Sequence, residues 1–177
     1  MDKNVIKGVT RRYEHLKFNI SYPVLDIGGG DGRILEYAGV KEATIIDLTE
    51  NQNPKYKYIR ANISKKLPEL NKRFGTIFIM EVLEHLYNPL YLLAQVYDLL
   101  RDDGICYISV PYTKLNTPDK FRKENFDNGH VSRWTYEELK DQLNKLGFKA
   151  KLIQKRRRFK NTAFWLPYCW MVWELRK

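Results

Sequence analysis

The fold of this chain is decided by one stretch, Val24-Leu25-Asp26-Ile27-Gly28-Gly29-Gly30-Asp31-Gly32-Arg33. It begins as an apolar run that predicts a buried strand, breaks into glycines, and continues as Ile34-Leu35-Glu36-Tyr37, which predicts a helix. A strand, a tight glycine turn and a helix N-terminus together place backbone N–H groups where a ligand can approach closely. Glycine suits such a turn because it accepts positive φ and carries no Cβ that would block the ligand.

The spacing of the glycines separates two kinds of nucleotide site. A dinucleotide site requires G-x-G-x-x-G, but the third position of that pattern, counted from Gly28 and Gly30, is Arg33. The pattern that fits is acid-x-Gly-x-Gly-x-Gly, which begins at Asp26 and ends at Gly32. This pattern resembles motif I of the class I S-adenosylmethionine-dependent methyltransferases.

Composition and length favour an ordinary globular protein of one domain, residues 1–177, since 44% of its residues are hydrophobic and 29% are charged. No apolar segment follows the basic start, and the longest apolar run, residues 163–173, is shorter than the ~20 residues of a membrane span. The cysteines, Cys106 and Cys169, lack C-x-x-C spacing. We therefore expect buried thiols, no metal site and a cytoplasmic location.

A net charge of +10 favours an anionic partner, whether nucleic acid, a membrane surface or an acidic metabolite, although a solvated basic face explains such an excess equally well. Cations and aromatics alternate in residues 155–168, as they do in nucleic-acid sites and in peripheral membrane contacts. Core aromatics beside solvated charges are the third interpretation of that segment. The sequence leaves these alternatives and the oligomeric state open.

Apolar runs rich in valine and isoleucine, separated by helical patterns, predict a doubly wound α/β fold with a largely parallel sheet covered on both faces. The predicted strands are 24–27, 43–47, 57–61, 76–80, 105–110, 149–155 and 168–175, and the predicted helices are 1–21, 34–37, 88–100 and 135–147. The third strand is polar enough for an edge. Thr135 and Glu138 form a capping-box pattern at the start of the last helix.

One long connection, residues 111–134, follows the carboxyl end of the fifth predicted strand. Ligands of open α/β sheets bind at that edge, and loops of this length are usually functional or disordered. We expect this segment to act as a substrate lid.

Two polar residues follow the second and third strands. Asp47 lies 19 residues after Gly28, where a carboxylate can accept hydrogen bonds from both hydroxyls of a ribose. Asn62 can pair with an adenine edge through its amide, although asparagine is also a common turn residue.

Glu81-Val82-Leu83-Glu84-His85-Leu86, directly after the fourth strand, strengthens the resemblance. Together with the glycine motif, the strand that ends at Asp47, and the segment from His130 to Thr135, it is similar to the type 11-like methyltransferases over residues 22–177. The resemblance implies a Rossmann-like sheet of seven strands, the last antiparallel, with S-adenosylmethionine lying across the carboxyl ends of the first two strands.

The resemblance also implies the cofactor contacts: Asp26, Gly28 and Gly30 at the methionine part, Asp47 at the ribose, Asn62 and Ile63 at the adenine, Met80 and Glu81 near the sulfonium, and Gly29 and Leu48 completing the set. One departure is Gly75, which stands where the family usually has an aspartate before the fourth strand. We expect that difference to affect local capping only.

Methyl transfer from a sulfonium is an in-line displacement, and a base is needed only if the acceptor must lose a proton. His130 is the candidate for that base, or for a residue that orients the acceptor, and a loop histidine bonded to backbone is the alternative. We predict an enzyme that methylates an oxygen or nitrogen of a small, possibly anionic molecule. The rival functions are an RNA or protein methyltransferase and a non-catalytic S-adenosylmethionine-binding module.

Overall fold

The computed structural model describes residues 13–49, 53–112, 129–157 and 169–177. These residues form the strands β1 (Val24–Ile27), β2 (Thr44–Asp47), β3 (Lys57–Arg60), β4 (Phe74–Met80), β5 (Leu100–Tyr112), β6 (Lys149–Arg157) and β7 (Cys169–Arg176). The helices are α1 (Arg33–Tyr37), α2 (Pro89–Leu99) and α3 (Tyr136–Lys145), and a 3-10 turn covers Leu83–His85.

The strands form one sheet in the order β3-β2-β1-β4-β5-β7-β6. Strands β1 to β5 are parallel to one another, while β7 is antiparallel to both β5 and β6. The predicted seven-stranded sheet with an antiparallel last strand is confirmed. The strand order reverses between β1 and β4, and the carboxyl ends of strands at such a point form the ligand-binding crevice of open α/β sheets.

Side chains alternate between the two faces of the sheet, as strand geometry requires. Within β4, Ile77 and Ile79 join a core cluster that includes apolar residues of α2 and α3, whereas Phe78 joins a second cluster that includes residues of α1. Both faces are therefore covered, which explains why the strands are apolar without alternation.

The segment before β1 departs from the predicted helix over residues 1–21. Residues 1–12 lie outside the described residues, and from residue 16 to residue 21 the backbone is not helical. Leu16, Phe18 and Ile20 pack against the second cluster, whereas Lys17 and Asn19 are exposed, so the period is two rather than 3.6. The spacing of three residues from Tyr13 to Leu16 fits a helix, whereas the period of two begins only at Leu16, which is why the helical interpretation was wrong for residues 16–21.

Phe18 shows what holds this extended segment to the sheet. Its ring makes edge-on contacts with Phe78 and Tyr107, at centroid distances of 5.3 and 4.9 Å. The Asn19 N–H donates to the Tyr107 hydroxyl at 2.9 Å, and the Ser21 N–H donates to the Thr76 hydroxyl at 2.8 Å. Aromatic packing and side-chain hydrogen bonds thus replace the backbone pairing that a helix would have provided.

Gly75 lies inside β4 and not before it. A Cβ built on Gly75 would be 2.6 Å from the backbone oxygen of Ser21, so only glycine lets the extended segment come this close. The expectation that this position affects local capping only was therefore wrong. Opposite Gly75, the pairing of β4 with β5 shifts from Phe74–Leu100 to Thr76–Ile105, so residues 101–104, which lie between the predicted helix and the predicted fifth strand, are a bulge within β5.

Two of the predicted functional segments fall largely outside the description. Residues 113–128 of the predicted lid and residues 158–168 of the basic aromatic segment lie outside the described residues.

Cys106 is a buried free thiol whose pKa is raised by burial. Among the described helices, none combines the length and the apolar character needed to cross a membrane.

The capping box of α3 is confirmed: the Thr135 hydroxyl accepts from the Glu138 N–H at 3.2 Å, and the Glu138 carboxylate accepts from the Thr135 N–H at 2.8 Å. Thr135→Val keeps the side-chain size but removes the accepting oxygen. We expect it to lower the free energy of unfolding by about 1 kcal/mol, measured by urea denaturation. Thr135→Asn, which retains an accepting oxygen, is the control and should be close to the parent. Equal stability of all three proteins would contradict a stabilising cap.

Candidate active site

The glycine turn after β1 is held against β2 and against the turn that follows β4. The Gly28 N–H donates to the Ile46 carbonyl at 2.7 Å, and Gly28 has φ of +71°. A Cβ on Gly28 would be 2.5 Å from Cγ2 of Val82. Both the positive φ and this close approach therefore require glycine at the position. The turn after β4 therefore touches the glycine turn directly, as a site shared by the two elements requires.

Asp26 lies beneath this turn with 1% of its surface exposed. Among the described residues neither of its carboxylate oxygens has a hydrogen-bond partner, and the carboxylate lies directly under the position that a Cβ of Gly29 would occupy. Burial, and secondarily the negative charge of Asp47, raises the pKa of Asp26 to about 8. A buried acid without partners inside a ligand-binding turn is costly by itself and suits a cationic group supplied from outside.

Asp47 ends β2 at the same edge. One of its carboxylate oxygens accepts from the Gly30 N–H at 2.9 Å, and the other accepts from the N–H and hydroxyl of Thr49 at 3.0 and 2.9 Å. The carboxylate is thereby oriented, and each oxygen keeps lone-pair capacity for a ligand hydroxyl. Leu48, the next residue, is 57% exposed although it is apolar, and nothing within 4 Å would meet a Cβ on Gly30. The space above this turn is open and has an apolar border.

Asn62 and Ile63, which were expected at an adenine, and Met80, which was expected near the sulfonium, differ in their surroundings. The Asn62 side-chain oxygen accepts from the Ser64 N–H at 2.9 Å, so a local turn orients the amide, and its NH₂ group and one lone pair of its oxygen are left for a ligand. Ile63 is 9% exposed and packs in the core. Met80, at the end of β4, is half-buried and packs against the second core cluster.

Glu81 is the most constrained residue at this edge. Its φ is +57°, a left-handed conformation that is strained for a residue with a Cβ. The Glu81 carboxylate accepts from the Ser109 hydroxyl at 2.6 Å and from the indole N–H of Trp170 at 2.5 Å. The Ser109 hydroxyl also contacts the Tyr13 hydroxyl at 3.0 Å and accepts from the Glu81 N–H at 3.0 Å. Two strands, β5 through Ser109 and β7 through Trp170, thus fix one carboxylate beside the carboxyl ends of β4 and β5.

His130 lies on a segment that is attached to the turn after β4. The N–H groups of Val131 and Ser132 donate to the Glu84 carbonyl at 2.7 and 3.0 Å. The His130 ring is half-buried and meets the His85 ring edge-on at a centroid distance of 4.8 Å. Burial, and then the charges of His85 and Arg133, lowers the pKa of His130 below its ordinary value. The imidazole is therefore neutral at pH 7 and has a lone pair to offer.

The structure brings together several residues that sequence reasoning left out: Ser109, Trp170 and Glu84. Ser109 and Trp170 reach Glu81 through strand pairing between distant parts of the chain, and no local pattern marks them. Glu84 and His85 were visible in the stretch after the fourth strand. Their proximity to His130, 45 residues on from His85, was not.

Comparison with known proteins gives a family. A family profile described as a methyltransferase domain matches residues 4–152. No curated protein matches the chain.

Solved structures share the fold at low sequence identity. The YcgJ protein of Bacillus subtilis is 13% identical, with 99% of each chain covered and a TM-score of 0.69. A SAM-dependent methyltransferase from Archaeoglobus fulgidus is 19% identical over 99% of this chain and 95% of that one, with a TM-score of 0.64. The 1,6-didemethyltoxoflavin-N1-methyltransferase of Burkholderia thailandensis, solved with its substrate and S-adenosylhomocysteine, is 21% identical over 99% and 80%, with a TM-score of 0.63. These likenesses establish the fold.

The raised pKa of Asp26 gives a test in the absence of any ligand. Between pH 4 and 8 the folded protein keeps the proton on Asp26 while the unfolded chain has lost it, so this carboxyl lowers stability progressively as the pH rises. Asp26→Asn removes that titration, and we expect the loss of stability from pH 5 to pH 8 to become smaller in the variant. Urea denaturation at both pH values measures the difference, and equal pH dependence in both proteins would refute the burial of an uncompensated carboxyl.

Proposed function

Because this chain belongs to the methyltransferase domain family, we propose that it transfers a methyl group from S-adenosylmethionine to an oxygen or nitrogen atom of a small molecule. The observation that carries the proposal is the buried Asp26 beneath the glycine turn. Its two carboxylate oxygens lack partners among the described residues, and the amino acid part of the cofactor has an ammonium group that would satisfy them.

The other residues at this edge fit the rest of the cofactor. Asp47 is oriented by Gly30 and Thr49 and can accept hydrogen bonds from ribose hydroxyls, while the exposed Leu48 gives an apolar surface for a base. The Asn62 amide, oriented by its hydrogen bond from the Ser64 N–H, can still donate through its NH₂ group and accept through its oxygen at an adenine edge. S-adenosylmethionine, when bound, supplies a methyl group on a positively charged sulfur.

Glu81 is proposed to shape the place where the acceptor meets the cofactor. Its carboxylate is held by Ser109 and Trp170, and its strained backbone persists because these contacts determine it. We assign it a positioning role. Preorganised groups of this kind accelerate transfer by holding the reactants in line.

His130 is proposed to work on the acceptor, either as the base or by orienting it. Its neutral imidazole lies on a segment that is fixed by hydrogen bonds to Glu84, next to the turn that contacts the glycine loop. These hydrogen bonds hold the backbone around His130 in place, while the imidazole ring itself is only half-buried.

RNA is the second candidate acceptor, because the net charge of +10 suits a polyanion. The small-molecule acceptor is preferred since the Burkholderia thailandensis neighbour, which covers nearly this whole chain, acts on one. We place the reaction in the cytoplasm, in keeping with the free thiol of Cys106.

Cofactor binding is tested at Asp47. Asp47→Ala should weaken S-adenosylhomocysteine binding by about 1–3 kcal/mol, the usual contribution of hydrogen bonds to a charged group, as measured by calorimetry. Asp31→Ala is the matched control, because Asp31 belongs to the same loop but is paired with Arg33 at 2.5 Å. It should bind as the parent does, and NAD should bind to neither protein. Unchanged affinity in Asp47→Ala would remove that residue from the site.

The acceptor class is tested by following S-adenosylhomocysteine release with panels of phenols, hydroxy acids and amines, and with total RNA. Turnover with members of the small-molecule panels is expected. Turnover with RNA alone would establish the second candidate instead.

His130→Ala should lower turnover by roughly 10²–10⁴-fold with little change in S-adenosylhomocysteine affinity, because its ring serves the acceptor and not the cofactor. Steady-state kinetics and calorimetry on the same preparation measure both quantities. A variant as active as the parent would exclude His130 from the reaction.

A further inference from the structure

Three metal-ligating side chains meet beside the proposed acceptor site. Glu84, His85 and His130 each offer one ligand atom, and these atoms all lie within 4.8 Å of one another. In a tetrahedral site, two ligand atoms that each lie about 2.1 Å from the metal ion are about 3.4 Å apart, so the longest separation must shorten by roughly an ångström or a little more, shared between two side chains. Small side-chain rotations supply that much.

The backbone brings these groups together before any ion is bound. The Glu84 carbonyl accepts from the N–H groups of Val131 and Ser132, and the Ser132 hydroxyl donates to the Leu86 carbonyl at 2.7 Å. The two segments are thus joined by three hydrogen bonds around the cluster. A site assembled in this way loses little conformational entropy when it binds an ion.

The hydrogen bond of His85 points to a ligand role. Its Nδ1 lies 3.1 Å from the Gly129 carbonyl oxygen, which can only accept, so Nδ1 carries the proton. Nε2 of the neutral ring then has the free lone pair. Histidine ligands of metals are usually held by such a bond from the other ring nitrogen, because it sets both the tautomer and the ring orientation.

We propose that Glu84, His85 and His130 bind a divalent transition-metal cation. Two imidazoles and one carboxylate favour zinc, iron, cobalt, nickel or manganese, whereas magnesium and calcium prefer sites made of oxygen. Glu84 is 1% exposed, and a buried carboxylate in this set supplies the charge that attracts the cation. This proposal departs from the expectation from the sequence that the chain has no metal site.

Arg133 opposes the cation. Its positive charge acts on His130, three residues before it in the chain, so it also reduces the attraction of the site for a metal. Neutralisation therefore depends on Glu84, and Glu84→Gln should weaken binding although glutamine has the same size.

The position of the cation suggests its use, and this step rests on the proposed methyl transfer. Val82, two residues before Glu84, contacts Gly28 of the glycine turn, so the cluster belongs to the same edge of the sheet. Three protein ligands leave coordination positions open, and a cation there lowers the pKa of a bound hydroxyl. The favoured acceptor is a hydroxyl with a neighbouring oxygen, which could bind through both atoms.

The test uses the full-length protein without an affinity tag, stripped of metal by a chelator, and titrated with Co²⁺ or Mn²⁺. Visible absorption of Co²⁺ and calorimetry should show one equivalent bound. Glu84→Gln, His85→Ala and His130→Ala should each weaken binding by at least 10–100-fold, the loss seen when even an outer partner of a ligand is removed.

His15→Ala is the matched control, because His15 is the remaining histidine of the chain and its side chain is 85% exposed. It should bind Co²⁺ as the parent does. Circular dichroism and urea denaturation verify that each variant is folded. If His85→Ala fails to fold, Co²⁺ binding by His85→Asn, Glu84→Gln and His130→Ala tests the site instead.

Three results would overturn the site. They are Co²⁺ binding that survives in folded His130→Ala, Co²⁺ binding that His15→Ala loses to the same extent as the three ligand variants, and the absence of stoichiometric Co²⁺ binding in the parent. These readouts do not depend on activity.

Cation binding without S-adenosylhomocysteine binding would leave the metal site standing and refute the proposed function. S-adenosylhomocysteine binding without cation binding would refute the metal site alone. With both bound, higher turnover of catechols or hydroxy acids when Mn²⁺ is restored is expected, and equal turnover without metal would refute the use assigned to the cation.

Discussion

The hydrogen bond from the Gly28 N–H to the Ile46 carbonyl is the contact on which the arrangement of the site depends. It closes the glycine turn against β2, and the next bond, from the Gly30 N–H to the Asp47 carboxylate, attaches the turn to the residue that ends that strand. Because Val82 fills the space where a Cβ of Gly28 would lie, the same turn also sets the position of the chain after β4. Three strand ends are thus located by one backbone conformation.

A second part of the site is built from contacts between distant segments. Ser109 and Trp170 hold Glu81, and the N–H groups of Val131 and Ser132 hold the turn that carries Glu84. The proposed cofactor half relies on local turn geometry, whereas the proposed acceptor half relies on these long-range bonds. Under this proposal, the acceptor half can change without disturbing the cofactor half, since function resides in sites placed on a shared fold.

Most of the fold followed from the sequence because it depends on short-range patterns. Apolar runs predict strands that are buried on both faces, and the Thr135 cap and the proline at the start of α2 mark helix ends by local hydrogen bonding. The segment before β1 was assigned wrongly because its period of two is expressed over only five residues. What decides its conformation is Phe18 packing on Phe78 and Tyr107, and those rings come from strands 60 and 89 positions later.

The sequence by itself determined the glycine turn, the acids Asp26 and Asp47 and the succession of strands along the chain, since each is set by residue type and local spacing. Only the tertiary structure decided that Gly75 must admit the backbone of Ser21, that Asn62 uses its oxygen in a turn, and that Glu84, His85 and His130 converge. The reason is physical: these outcomes depend on contacts between segments far apart in the chain, and residue spacing carries no information about the distance across a fold.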